Sequence, residues 1–257
     1  GYVDAAVRQA REAANAPEAG FDITVESEIP LGAGLGSSAA VVVAGIDAAT
    51  RALGEPLDRR EIADRAYRAE YEVQDGQASR ADTFCSAMGG AVRVEGDDCT
   101  TLSTPTLPFV VGFDGGAGDT GKLVADVRAL RDRYDFASDT VDAIGDIVST
   151  GEQLLSEADP NAEPSDELIA ELGDLMNINH GLLSALGVSS RSLDTMVWAA
   201  REAGAEGAKL TGAGGGGCIV ALDRTDETRT SLRYTPGCED SFRAELATEG
   251  VRVEGDE

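Results

Sequence analysis

The segment Pro30-Leu-Gly-Ala-Gly-Leu-Gly-Ser-Ser-Ala-Ala40 restricts this chain more than any other. It follows Phe21-Asp-Ile-Thr-Val-Glu-Ser-Glu-Ile29, where apolar and polar residues alternate as in a strand with one wet face. It precedes Ser38 to Leu53, small and apolar enough for a buried helix. Gly32, Gly34 and Gly36 permit backbone turns closed to other residues and let N–H groups approach a ligand unobstructed. Where such a loop runs into a helix, unsatisfied N–H groups and the positive end of the helix dipole form a site for phosphate or carboxylate. Ser37 and Ser38 add hydroxyls that can donate to phosphate or help coordinate magnesium. The plainer reading is a strand-to-helix turn whose glycines only pack closely. Neighbouring motifs are excluded by spacing. A Walker A loop needs Gly-Lys-Ser/Thr, a dinucleotide fingerprint needs Gly-x-Gly-x-x-Gly, and a nucleophile elbow needs Gly-x-Ser-x-Gly.

Charge narrows the partners. Lys+Arg 21 against Asp+Glu 47 gives a formal net charge of -26, which repels phosphodiester backbones and anionic membrane surfaces. Neither nucleic acid nor membrane is expected as a partner. Lys122 and Lys209 are the two lysines, so arginine carries nearly all the positive charge, a pattern similar to proteins of salt-loving organisms. Cys85, Cys99, Cys218 and Cys238 show no short paired spacing, which fits reduced thiols, and His180 is the single histidine. No zinc site is expected from so sparse a ligand set. No apolar run reaches membrane-spanning length and no signal-like segment precedes the first helical pattern, so the expectation is a cytoplasmic protein.

Along the chain, helical spacing over Tyr2 to Asn15 is broken by Pro17-Glu-Ala-Gly20, and Asp58 is placed to cap a helix through Val73. Ala91 to Glu95 and Phe109 to Phe113 read as strands. Helical periodicity runs from Leu123 to Ala203, interrupted at Asp159–Ser165 and Gly187–Ser190. Ala205–Leu210 and Cys218–Leu222 read as strands bracketing Thr211-Gly-Ala-Gly-Gly-Gly-Gly217, and a helix and a short strand follow. The pattern predicts an α+β chain with two lobes, divided at 1–104 and 105–257.

Pro30–Ala40 resembles the second motif of the GHMP kinases, small-molecule kinases with a two-lobed α+β fold. The resemblance implies an N-terminal lobe like domain 2 of ribosomal protein S5 and a helix-rich, ferredoxin-like C-terminal lobe. It places Gly32 to Ser38 on a strand-rich lobe and Thr211 to Gly217 on a helix-rich one, with substrate in the cleft. It implies that ATP is held by Pro30, Leu31, Gly32, Ala33, Gly34, Leu35, Gly36, Ser37, Ser38 and Ala39. Lys209 to Cys218 resembles the family's third motif, which implies that Thr211, Gly212, Gly214 and Gly215 also hold ATP, with Lys209 supporting the loop. The Ser-x-x-Asp-Thr run followed by Gly89-Gly90 resembles the segment carrying the family's catalytic aspartate, here Asp82. Phosphoryl transfer to an alcohol needs such a group to accept the hydroxyl proton. Ser38 and Glu70 are the implied magnesium ligands, with Glu72 as the alternative to Glu70, because Asp75 reads as an insertion that unsettles the register. Ser79 and Thr120 match acceptor-pocket positions, although both could be simple helix caps.

Met176-Asn-Ile-Asn-His-Gly-Leu-Leu-Ser-Ala-Leu-Gly-Val-Ser189 resembles the mevalonate kinase branch, which implies mevalonate as the acceptor; His180 reads as a structural histidine. The family's first motif, a strand with Pro-Gly-Lys and Gly-Glu-His, is not in the sequence. The expectation is therefore a truncated chain, crippled in catalysis relative to the full-length kinase and exposing a sheet edge. Two alternatives stay open. One is another kinase of the family, acting on phosphomevalonate or homoserine; phosphomevalonate would want extra basic residues for its second phosphate, for which Arg80 is the candidate. A non-catalytic nucleotide sensor would not need Asp82. Assembly stays open between a monomer and a homodimer.

Overall fold

The computed structural model describes residues 1–29, 33–76, 78–244 and 246–254. The chain divides into two compact units, one of Gly1–Ile29, Gly36–Leu102 and Ala247–Glu257, the other of Pro30–Leu35 and Ser103–Leu246. Among the described residues no helix is long and apolar enough to cross a membrane.

The first unit holds helices α1 (Tyr2–Ala13), α2 (Ser37–Ala52), α3 (Arg59–Val73) and α4 (Arg80–Met88), and strands β1 (Ala91–Glu95) and β2 (Asp98–Leu102). Its core is built from small side chains. Ala5, Ala6 and Ala10 of α1 are buried, as are Val42, Val43 and Ile46 of α2 and Ile62, Ala63, Ala66 and Ala69 of α3. Small residues bring helix axes close, and a methyl on Gly45 would stand 3.1 Å from the Ala6 Cβ. Asp58 caps α3, its Oδ1 accepting from the Glu61 N–H at 2.9 Å, as the sequence predicts. The last described segment returns to α4: the Gly90 N–H donates to the Ala247 carbonyl and the Val251 N–H to that of Ala87.

Two expectations fail in this unit. Phe21–Ile29 is not a strand, and among the described residues the unit is four helices with one antiparallel hairpin rather than strand-rich. Alternation describes a surface, whereas a strand also needs a ladder partner, and none of the described segments pairs with 21–29. The hairpin partner β2 is absent from the sequence reading because Asp-Cys-Thr-Thr-Leu is polar and half exposed.

The second unit holds β3 (Phe109–Phe113), α5 (Thr120–Arg133), α6 (Asp135–Glu157), α7 (Asp166–Ala185), α8 (Arg191–Glu202), β4 (Gly207–Leu210), β5 (Cys218–Leu222), α9 (Glu227–Arg233) and β6 (Asp240–Ala244). The sheet is antiparallel with order β4-β5-β3-β6, the order of a split β-α-β-β-α-β unit, which is the ferredoxin-like arrangement expected. Its core joins Val110, Leu210 and Ile219 of the sheet to Leu193, Met196, Val197 and Ala200 of α8 and Leu232 of α9. The long helical stretch breaks once more than expected, at Tyr134, whose extended backbone (φ -139, ψ 123) separates α5 from α6.

Helix α7 packs directly on β4. A Cβ on Gly207 would fall 2.3 Å from the Gly173 carbonyl oxygen, so backbone meets backbone there. One turn along α7, Asn177 Oδ1 accepts from the Ala208 N–H at 3.1 Å and its Nδ2 donates to the Glu206 carbonyl at 2.9 Å. His180 Nδ1 accepts from the Leu210 N–H at 3.3 Å. Residues three apart on a helix thus meet N–H groups two apart on one edge of a strand, a physical reason for the Asn-x-x-His spacing.

Candidate functional site

In the first unit the site grows from the start of α2. Gly36 is its N-cap in a left-handed conformation (φ 70), and no side chain caps the helix. Ser37, Ser38 and Ala39 form the uncapped first turn. The Ser38 hydroxyl donates to Glu70 Oε1 at 2.5 Å. Glu70 lies on α3 and is 2% exposed, with one weak further donor, Gln74 Nε2 at 3.4 Å. Asp82 stands in the first turn of α4, where Ser79 is the N-cap and accepts from the Ala81 N–H. A Cβ on Gly36 would lie 3.7 Å from the Asp82 Cβ and Cγ, so the glycine admits the aspartate beside the α2 N-terminus. Asp82 does not return a capping bond, and among the described residues its carboxylate has no hydrogen-bond partner.

Burial pushes the Glu70 pKa up, against the opposing hydrogen bond from Ser38, and the nearby Asp82 charge raises it further. Asp82 keeps a solvent-accessible face, yet the protein around it also raises its pKa. Two carboxylates held near one another without a cation suit a hard divalent ion. Among the described residues no cluster of three or more His, Cys, Asp or Glu forms a metal cage. Magnesium needs none, since it usually takes one or two carboxylates and completes its shell with water and substrate phosphates. Ser38, Glu70 and Asp82 fit that donor set.

The alternatives resolve into separate places. Glu72 is exposed and pairs with Arg8 at 2.8 Å, far less enclosed than Glu70. Asp75 (φ 50) follows the C-cap Gln74, and the Gly76 N–H reaches back to the Tyr71 carbonyl. That is a Schellman stop, which ends α3 three residues after Glu70. Arg80 is occupied by Asp64 and Asp97, each at 3.0 Å, and lies over the Tyr67 ring. Ser79 is exposed on the same turn as Asp82.

The first glycine motif is shared between the units. Pro30, Leu31 and Gly32 lie outside the described residues. Ala33 to Leu35 belong to the second unit, where Ala33 is buried and packs with Leu35 against Val111 and Cys218. Gly34 (φ 75) abuts the second loop: a Cβ on Gly212 would stand 3.0 Å from the Gly34 Cα, and one on Gly217 would stand 2.8 Å from the Ala33 carbonyl oxygen. The structure therefore brings Gly34 together with Thr211 and Gly212, and Ala33 with Gly217, whereas Gly214 packs on Val188 and Gly215 on Leu123 and Gly118. Thr120 opens α5, exposed, after Asp119 caps the helix through the Lys122 N–H. Gly118, two residues earlier, has room for no side chain against the Gly214 carbonyl. The position of Thr120 beside the second loop is thus set by glycine-to-glycine contact.

Lys209 donates to the Leu210 carbonyl at 2.8 Å, and its burial lowers its pKa. His180 Nδ1 acts as acceptor, so Nε2 carries the proton and donates to Asp194 at 3.1 Å, while burial lowers its pKa. The Cys218 thiol, buried just past the loop, is pushed up to about 12 and is inert. Sequence reasoning missed Asp114, which accepts from the N–H groups of Gly116 and Gly217, each at 2.8 Å. No motif signals it; Phe-Asp-Gly-Gly reads as an ordinary turn.

Two family models match this chain: the GHMP kinases N terminal domain over residues 1–90 and the GHMP kinases C terminal domain over residues 166–234. Mevalonate kinase of Thermococcus gammatolerans is 42% identical over 257 residues, covering 98% of this chain and 75% of its own length. Mevalonate kinase of Methanothermobacter thermautotrophicus is 39% identical over 244 residues, covering 90% and 73%. The crystal structure of Methanococcus jannaschii mevalonate kinase superposes with a TM-score of 0.76 at 26% identity, over 95% of this chain and 74% of that one. With both domain models matched and identity sustained over nearly its whole length, the chain belongs to the GHMP kinase family.

Proposed function

We propose that the chain is a mevalonate kinase, which transfers the γ-phosphoryl group of ATP to the terminal hydroxyl of mevalonate to give 5-phosphomevalonate. The observation that carries this reading is the oxygen cluster of Ser38, Glu70 and Asp82 at the uncapped, glycine-led start of α2. Its support in relatives is the 42% identity with archaeal mevalonate kinases. Asp82 accepts the hydroxyl proton at a carboxylate oxygen as the alcohol oxygen bonds to the γ-phosphorus. The bond from that phosphorus to the bridging oxygen breaks and ADP leaves. The raised Asp82 pKa makes it a better base than an ordinary aspartate. Ser38 and Glu70 would hold magnesium, which would supply charge neutralisation for the phosphoryl oxygens. The free N–H groups of the α2 first turn in the first unit, and those of Gly212, Ala213 and Gly214 in the second, are donors suited to phosphate oxygens. Ser79 in the first unit and Thr120 in the second are the acceptor-binding residues of this reading, and 1–104 and 105–257 are its two lobes.

Arg80 bears on the acceptor. Its guanidinium is engaged by two aspartates and a tyrosine ring, so it is not free for a second phosphate, which favours mevalonate over phosphomevalonate. The test is phosphate transfer from ATP with magnesium in high-salt buffer, offering mevalonate, phosphomevalonate and homoserine. It is run on the chain itself and on a version preceded by the family's Pro-Gly-Lys strand. Transfer to mevalonate that falls about 10²- to 10⁴-fold in Asp82→Asn, with nucleotide still bound, is the expected result. Preference for another acceptor overturns the substrate. Nucleotide binding without transfer in either version points to the sensor.

A further inference from the structure

The loop Thr211–Gly217 is tied down at alternating points. The Thr211 N–H donates to the Cys218 carbonyl at 3.0 Å, that of Gly215 to the Val188 carbonyl at 2.8 Å, and that of Gly217 to Asp114 Oδ1 at 2.8 Å. Among the described residues the N–H groups of Gly212, Ala213, Gly214 and Gly216 meet no partner. Such a loop presents anion-seeking donors only while its anchors hold.

The anchors that come from side chains share one support. Asp114 ends β3; Oδ1 holds Gly217 and Gly116 together, and Oδ2 accepts from the Ser192 hydroxyl at 2.5 Å. At the other end of the loop, His180 holds the Leu210 N–H and is itself fixed by Asp194, which also accepts from the Ser189 hydroxyl at 2.5 Å. Ser192 and Asp194 belong to the first turn of α8, capped by Ser190 through the Leu193 N–H. One helical turn therefore reaches both ends of the glycine loop, through a direct carboxylate on one side and a histidine relay on the other. Asp114 also fixes Gly116, so the same carboxylate sets the Gly115–Asp119 loop that leads to Thr120.

We infer that Asp114 and Asp194 are positioning residues that aim the free N–H groups of Thr211–Gly217 at the nucleotide phosphates. This rests on the kinase reading above. Neither carboxylate touches substrate; each acts through a neighbour. A role limited to holding the fold together would lower the folded fraction and leave the KM of the surviving enzyme alone. A positioning role moves the KM for ATP in enzyme that is fully folded.

The experiment compares Asp114→Ala, Asp114→Asn, Asp194→Asn and the parent chain. It reads steady-state kinetics against ATP and acceptor, calorimetric Mg·ADP binding, and amide exchange of the 210–217 peptide by mass spectrometry. Asp114→Ala is expected to raise the KM for ATP about tenfold, the cost of orphaning two N–H donors, while the acceptor KM stays within about twofold. Asp114→Asn is expected to fall between, because its amide oxygen still accepts from Gly116 and Gly217 while its nitrogen cannot accept from Ser192. Asp194→Asn should speed exchange at Leu210 more than at Gly217. An unchanged KM for ATP with unchanged exchange in Asp114→Asn overturns the inference, and that variant decides the matter should Asp114→Ala not fold. A parent chain without phosphate transfer would sink the kinase reading instead; Mg·ADP affinity and exchange would still separate an anchored loop from an unanchored one.

Discussion

The glycine segment at Gly34–Ser38 and the one at Thr211–Gly217 use the same residue to opposite ends. The first leads into a helix without a side-chain cap and stands beside Glu70 and Asp82, two carboxylates that no basic side chain pairs among the described residues. The second is pinned by backbone and side-chain bonds at three of its seven residues, and Gly214 and Gly217 are packed so tightly against backbone that side chains are excluded. Glycine in one place admits a carboxylate beside a helix N-terminus. In the other it lets backbone approach backbone, so that the few remaining donors point one way. Both uses follow from the missing Cβ, and only the surroundings tell them apart.

Alanine substitutions break or sharpen this contrast most strongly. Gly214→Ala places a Cβ 2.0 Å from the Val188 carbonyl oxygen at a φ of +89, so the backbone must shift. The expected loss is about 3 kcal/mol or more in urea denaturation. Gly34→Ala also has positive φ but meets its nearest atom at 3.4 Å, so the loss should be about 1 kcal/mol. Equal losses would erase the distinction between a packed loop and an open one.

A smaller effect lies in the charges beside the first loop. Glu70 and Asp82 both have raised pKa values, so each holds its proton more tightly folded than unfolded. In the metal-free protein the contribution of these two groups to stability should therefore be fully present at or below the ordinary carboxylate range. It should decline as pH rises from there through the raised values. Glu70→Gln should flatten that decline and stabilise the metal-free protein near neutrality by on the order of 1 kcal/mol, while abolishing the stabilisation magnesium gives the parent. Thermal melts across pH, with and without magnesium, read both. A variant less stable than its parent at neutral pH would show that Glu70 is a paired structural group. The least effect is expected from Glu72→Ala, two residues along the same helix. Its exposed pair with Arg8 should contribute no more than about 0.5 kcal/mol in the same melts, with magnesium affinity unchanged.

Legibility in the sequence tracked how local the determining physics is. The cap at Asp58, the span of β1 and the span of β3 depend on neighbours within a few residues, and all three stand where the pattern puts them. Phe21–Ile29 failed because strand character is decided by a partner that alternation cannot specify. The polar strand β2 failed for the converse reason: its partner β1 recruits it despite its composition. At the candidate site, Ser38 and Asp82 stood out through the resemblance to the GHMP kinases, and the structure sets Asp82 beside Gly36 at the start of α2. The choice of Glu70 over Glu72 is a matter of helix phase, and only the fold shows which one turns inward to Ser38. Asp114 stayed hidden, since a lone aspartate after a strand acquires meaning only when Gly217, 103 residues away along the chain, arrives beside it.

The side chains along the outer edge of β4 have a further consequence, best put in the language of polymer growth. A sheet that offers hydrogen-bonding edges on both sides is a bifunctional monomer, and strand can add to strand without limit. Asn177 and His180 occupy the Ala208 and Leu210 N–H groups on one side, and Asn177 with Arg201 takes the Glu206 and Ala208 carbonyls. That leaves the β4-β5-β3-β6 sheet monofunctional at most, so an encounter through its far edge terminates at a pair instead of propagating.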